Sequence, residues 1–221
     1  MKTPNVPLID LQNAATDSEQ LKLLDLACRD HGFFLLKNHG IQEEIDDMWK
    51  MSEWFFSQDR EEKLKLLRSE QIPLGFFDRE LTKQKRDLKE VFDFMETRLE
   101  SDINQWPEEA VFKQTMENFF LKSSQVAEKT LELILICLGL TKNEKVFGDS
   151  RTSNARLNYY PTEDPLNLNE KNEVNKLGDM ALHHHTDPGI LTLLLQDMTG
   201  GLQAKSKEFG WIDIEPEKDS I

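Results

Sequence analysis

The chain has 221 residues, enough to bury a substantial core within one domain. Its 41 acidic residues against 27 Lys and Arg leave a formal charge of -14, which repels phosphate backbones and anionic lipid surfaces, so neither nucleic acid nor a membrane is expected as a partner. Cys28 and Cys137 lie in helix-patterned apolar segments, the N-terminus lacks the apolar stretch of a signal peptide and no run is long enough to span a bilayer, which points to a reduced, cytoplasmic protein.

In chain order, residues 6–11 read as an edge strand, because Pro7 cannot donate to a ladder. A helix follows: Thr16 and Glu19 have capping-box spacing, Leu21, Leu24 and Cys28 recur at helical intervals, and Gly32 supplies a stop. The apolar run 33–36 has the pattern of a strand buried on both faces, and the neighbouring His31 and His39 read as hydrogen-bonded structural residues rather than ligands. Over 43–56, Ile45, Met48, Ser52, Phe55 and Phe56 trace one helical face and predict core rather than a cofactor box. A short helix at 59–67, a solvated turn region or exposed helix at 79–89, and a strand over 91–95 come next. The longest helix is expected over 108–138, with Phe112, Met116, Phe119, Ser123, Val126, Thr130, Leu133 and Cys137 as its buried stripe and Gly139 just past its end. After Asp149 the period turns strand-like, giving strands at 154–161 and 189–196, while the polar stretch 162–179 predicts a long mobile loop between them.

Residues 181–189 read Ala-Leu-His-His-His-Thr-Asp-Pro-Gly. On a strand, His185 and Asp187 would point to one face and present an imidazole beside a carboxylate, with His183 on the same face and His184 turned away. Neutral imidazole plus a hard oxygen suits a first-row divalent ion, and a facial triad of two histidines and one carboxylate marks non-haem Fe(II) oxygenases. Three consecutive histidines also fit a solvated run or an adventitious metal patch, and these letters alone leave the readings open. Tyr160 likewise reads either as a pocket residue or as a strand tyrosine that merely satisfies its own hydroxyl.

The segments Arg156-Leu157-Asn158-Tyr159-Tyr160-Pro161, His185-Thr186-Asp187-Pro188-Gly189, Leu191-Thr192-Leu193-Leu194-Leu195-Gln196-Asp197, Gly201-Leu202-Gln203 and Trp211 to Pro216 follow one another in an order that resembles the Fe(II)- and 2-oxoglutarate-dependent oxygenases of the isopenicillin N synthase-like family. Residues 6–11 and 31–41 resemble the N-terminal segment of that family, and 78–94 a segment near its active-site mouth. The resemblance implies an α+β fold with a double-stranded β-helix, or jelly-roll, core and flanking N-terminal helices, one of them a long spine. It implies a single domain over 1–221, helical and mixed over 1–149, with the first part of the jelly roll over 150–221. It further implies Fe(II) at His185 and Asp187, 2-oxoglutarate as cosubstrate in a pocket lined by Asn158 and Tyr160, dioxygen as co-oxidant, and a small organic substrate that is hydroxylated or desaturated. No catalytic residue is expected beyond the metal ligands, and His183 stands as a supporting partner. In the family, a distal iron histidine and an Arg-x-Ser that grips 2-oxoglutarate lie farther along than Ile221. The core is therefore expected to be incomplete at its C-terminus, with weak iron binding, no turnover and poor stability for this chain alone. The alternative is a truncated non-catalytic relative acting as a binding or interaction protein. Neither the substrate nor the oligomeric state is legible in the sequence.

Overall fold

The computed structural model describes residues 6–97, 103–140 and 152–221. The change of period expected at Asp149 lies outside the described residues. The elements are β1 (Leu8–Asp10), α1 (Ser18–Leu26), a π-helical turn (Ala27–His31), β2 (Leu35–Lys37), α2 (Gln42–Phe56), α3 (Arg60–Leu64), β3 (Gly75–Phe77), β4 (Leu81–Thr82), β5 (Lys85–Arg86), β6 (Glu90–Met95), α4 (Ala110–Cys137), β7 (Asn154–Tyr159), α5 (Leu168–Glu173), β8 (Gln203–Ser206) and β9 (Gly210–Asp213). Among the described residues no helix is long and apolar enough to cross a membrane. Contacts divide the chain into two compact units, one of Met1–Gln42, Lys122–Gly148 and Gly189–Ile221, the other of Glu43–Leu121 and Asp149–Pro188.

In the first unit β1 and β2 pair in parallel, with Ile9 opposite Leu36. Leu36 also exchanges both backbone bonds with Ile221, at 2.8 and 3.0 Å. Of the run 33–36 only Leu36 is buried, since so short a sheet covers little of either face. Helix α1 is capped by Asp17 rather than Thr16: the Asp17 carboxylate accepts from the Glu19 N–H at 2.9 Å. Antiparallel β8 and β9 place Ser206 opposite Gly210, whose φ of 73° closes the hairpin. Residues 189–196 form no strand despite their apolar pattern, because no edge among the described residues takes their backbone N–H and C=O groups.

In the second unit β3, β6 and β7 form an antiparallel sheet in that order, with Phe76 opposite Phe92 and Phe92 opposite Leu157. Those three side chains share one face of the pleat and are buried. Phe55 of α2 packs on Phe92 at 4.7 Å between ring centroids and on Phe112 of α4 at 5.4 Å, which makes an aromatic core. The α2 stripe is buried as expected at Ile45, Met48, Ser52, Phe55 and Phe56. In α4, Phe112, Met116, Phe119, Val126, Thr130 and Leu133 are buried, whereas Ser123 and Cys137 are only half-buried and Phe120 joins the stripe.

Two charged stretches correct the sequence expectation. Residues 79–89 are a solvated turn only at the tip of the β4–β5 hairpin, where Lys83, Gln84 and Lys85 are exposed; Arg86, Asp87 and Lys89 are 2%, 0% and 5% exposed. Such burial is tolerable because opposite charges come with it. Arg86 grips both carboxylate oxygens of Asp164, and Arg60 and Arg79 both reach Glu170, at 2.9 and 2.8 Å. These anions lie in the stretch 162–179, which is therefore anchored rather than loose and contains α5. There Asn167 and Glu170 form a capping box, each side chain bonding the other's backbone N–H at 3.0 Å.

Candidate active site

Strand β7 alternates across the sheet: Leu157 turns to the aromatic core, while Arg156 and Asn158 turn to the other face. Tyr160 follows just past the strand end. Across the ladder, Arg156 binds both oxygens of Asp93 at 2.6 and 2.7 Å; Arg68 bonds Asp93 at 3.1 Å and Glu80 at 2.6 Å. Two cations and two anions thus offset one another on this face. Burial disfavours the charge of Arg156, but the bonds to Asp93 and the charges of Asp93 and Glu80 raise its pKa above the ordinary guanidinium value. Lys89 stands 3.8 Å from Asp87, and its burial pushes the ammonium pKa down. Tyr160 is 47% exposed; its partial burial, reinforced by the negative charge of Asp87 and opposed by Arg156, pushes the phenol pKa up.

Contrary to expectation, residues 183–187 are not a strand, and His183 does not share a face with His185 and Asp187. The imidazole of His183 turns instead to the fully buried Asp87, with Nδ1 3.2 Å from Oδ1, while the Thr82 hydroxyl donates to Oδ2 at 2.7 Å. Its ring also lies against Gly178, where an added Cβ would stand 2.2 Å from Cε1. His184 meets the ammonium of Lys83, at the tip of the β4–β5 hairpin. His185 Nδ1 lies 3.0 Å from the backbone carbonyl of His183. Because a carbonyl can only accept, Nδ1 is the donor in this bond, and Nε2 is the nitrogen turned toward Asp187. That Nε2 is 3.4 Å from Asp187 Oδ1, and the two side chains are 47% and 48% exposed.

The donor set fits a divalent cation at two positions. Donors about 2.1 Å from one ion at a right angle stand about 3 Å apart, close to the observed spacing of imidazole nitrogen and carboxylate oxygen. Among the described residues no group of three His, Cys, Asp or Glu side chains is placed to hold a metal ion. The structure therefore brings His185 and Asp187 together. It sets Asn158 on the sheet face turned away from the aromatic core and puts Tyr160 within the field of Asp87, which bonds His183.

Asp87 escapes sequence reasoning because it sits among eight charged residues in 79–90, where charge ordinarily means solvent. Its one signal is position: the charged segment is short and lies between the apolar strands β3 and β6, so part of it must fold back over their sheet.

Residues 6–109 match the family described as non-haem dioxygenase in morphine synthesis, N-terminal, and residues 151–221 match the 2OG-Fe(II) oxygenase superfamily. The chain is 31% identical to a "Probable iron/ascorbate oxidoreductase" of Dictyostelium discoideum over 98% of its own length and 70% of that protein. It is also 31% identical to gibberellin 20 oxidase 1 of Arabidopsis thaliana over 96% of its own length, but spans only 58% of that relative. Among solved structures, a full-length Neurospora crassa protein in complex with alpha-KG and 5-formyluracil superposes with a TM-score of 0.79 at 28% identity, covering 97% of this chain and 69% of that one. The likeness shows an α+β chain with the jelly-roll fold of those oxygenases.

Proposed function

Because the chain belongs to the 2OG-Fe(II) oxygenase superfamily, we propose that it serves an oxygenase that hydroxylates or desaturates a small organic molecule, with His185 and Asp187 holding Fe(II) and Asn158 and Tyr160 lining the 2-oxoglutarate pocket. The observation that carries this reading is the pairing of His185 Nε2 with Asp187 Oδ1 at 3.4 Å, with the Nδ1 proton of His185 already committed to a carbonyl. An imidazole and a carboxylate are the donor types such a centre uses. Bound Fe(II) supplies the redox chemistry that couples decarboxylation of 2-oxoglutarate by dioxygen to oxidation of a substrate C–H bond.

The protein's own groups bind and orient. Asp187 brings a hard carboxylate oxygen, and His185 brings an imidazole whose Nε2 is aimed by the hydrogen bond at Nδ1. The Tyr160 hydroxyl is a donor for a cosubstrate oxygen, and the Asn158 amide, which strand alternation turns away from the aromatic core, is a second donor. Arg156 has its fork closed on Asp93, so it orders the sheet face rather than offering a free cation. We read residues 1–221 as parts of one oxygenase domain, which the two family matches on either side of α4 support. The cysteines Cys28 and Cys137 are unbridged, in keeping with a reducing, cytoplasmic setting, and the charge of -14 disfavours nucleic acid and anionic membranes as partners.

Anoxic calorimetric titration with Fe(II) tests the assignment. His185→Ala and Asp187→Ala should each abolish the binding seen with the unaltered chain, and His184→Ala should leave it. Undiminished affinity in Asp187→Ala would place the metal on the histidine run instead and overturn the reading.

A further inference from the structure

We propose that Gly178 and Asp87 form a socket for the His183 imidazole, and that this socket is a positioning device: it fixes the His183 carbonyl, which in turn sets the tautomer and aim of His185. The inference rests on the reading of His185 as a metal ligand, but its structural part stands apart from any metal.

Three observations carry it. The first is the wall. Asp87 is fully buried, and its Oδ2 takes both the Thr82 hydroxyl at 2.7 Å and the Lys89 ammonium at 3.8 Å, which fixes the carboxylate and leaves Oδ1 as the acceptor 3.2 Å from His183 Nδ1. The second is the floor. Gly178 has an ordinary backbone conformation that any residue adopts, yet an added Cβ would come within 2.2 Å of Cε1 and 3.0 Å of Nε2 of His183. The need for glycine at 178 is thus set by the ring lying on it. The third is that wall and floor are stitched together: the Gly178 N–H donates to the Arg86 carbonyl at 2.8 Å, and the Arg86 N–H donates to the Lys176 carbonyl at 3.0 Å, one residue before Asp87.

A side chain gripped on two sides restrains its own peptide unit, and the His183 carbonyl is the acceptor for His185 Nδ1–H. In water an exposed imidazole is free to turn; here Nδ1 is committed to a carbonyl that the socket holds still, and the nitrogen turned toward Asp187 is Nε2. Groups that orient a ligating histidine through its second nitrogen commonly change metal affinity by about 10- to 100-fold when altered. Residues that touch no metal should therefore govern its binding.

The test is a mutant cycle on the full chain with two readouts, anoxic Fe(II) titration and ¹⁵N-histidine NMR without metal. Gly178→Ala should weaken Fe(II) binding by about 10- to 100-fold and move the His185 signals from the Nδ1–H tautomer toward the Nε2–H tautomer, with the fold intact by its thermal melt. His183→Ala should do the same, and adding Gly178→Ala to His183→Ala should cost nothing further, because the ring that clashed is gone. If Gly178→Ala leaves the tautomer unchanged, or costs as much in the His183→Ala background as alone, the socket is not what positions His185 and the proposal is overturned. If instead the tautomer responds as described while the unaltered chain binds no Fe(II), the proposal holds and the metal assignment fails.

Discussion

Arg86 and Asp164 form an ion pair nearly closed to water: the guanidinium side chain is 2% exposed and the carboxylate 14%, and both Nη atoms of Arg86 reach its oxygens. Such pairs are costly to break on one side, because the surviving charge stays buried without a partner. Asp164→Ala is expected to destabilise the chain by about 3–5 kcal/mol in chemical denaturation, and Arg86→Met with Asp164→Leu by far less. Equal losses in the single and double variants would show that shape, not charge, matters here.

The same anchor predicts an acid limit. Burial works to raise the pKa of Asp164, but the bonds from Arg86 and the Leu166 N–H outweigh it and lower the pKa. Glu170 is lowered likewise, by the Asn167 N–H and by Arg60 against its own desolvation. A carboxylate whose folded pKa lies below its unfolded value stabilises the fold fully above the unfolded value and loses that contribution as pH falls through the folded one. The ordinary values are 3.8 and 4.5, so melting temperature should hold near neutrality and fall below those values. Asp164→Asn should start lower and fall less steeply; a parallel decline in both proteins would sink this account.

The aromatic core sets the stability of the second unit. Phe92→Ala or Phe55→Ala should each cost about 3–5 kcal/mol by denaturant titration, since these rings are 0% and 1% exposed and 4.7 Å apart. Made together they should cost less than the sum, with a coupling of about 0.5–1.5 kcal/mol.

The chain has two tyrosines, so Tyr159→Phe leaves Tyr160 as the sole phenol in an absorbance titration. Its midpoint should lie above 10.0, and Asp87→Asn should bring it down by removing the negative charge that adds to the effect of burial. A midpoint at or below 10.0 in the Tyr159→Phe protein would mean that neither burial nor the Asp87 charge acts on the Tyr160 hydroxyl.

Local pattern made α2, β7 and most of the α4 stripe legible, because a helix or strand with one apolar face announces its period in the residues themselves. His185 and Asp187, the pair proposed for the metal, come together although the strand expected there is absent. Charges buried by partners about 80 to 110 positions away were hidden. Arg86 and Arg60 look like surface residues until Asp164 and Glu170 are brought to them by the fold. The role of His183 was hidden in the same way, since both Gly178 and Asp87 are needed to see it.

The closed circuit of Arg68, Glu80, Asp93 and Arg156 leaves the sheet face, among the described residues, with no surplus cation to draw an anion in from a distance, while the chain as a whole carries a formal charge of -14. A dianion such as the proposed cosubstrate then approaches uphill until it is within contact range. Mobile ions flatten that slope, with a screening length of about 10 Å at 0.1 M salt. Encounter with 2-oxoglutarate should accordingly quicken as ionic strength rises, opposite to the slowing seen where a basic rim gathers its ligand from solution.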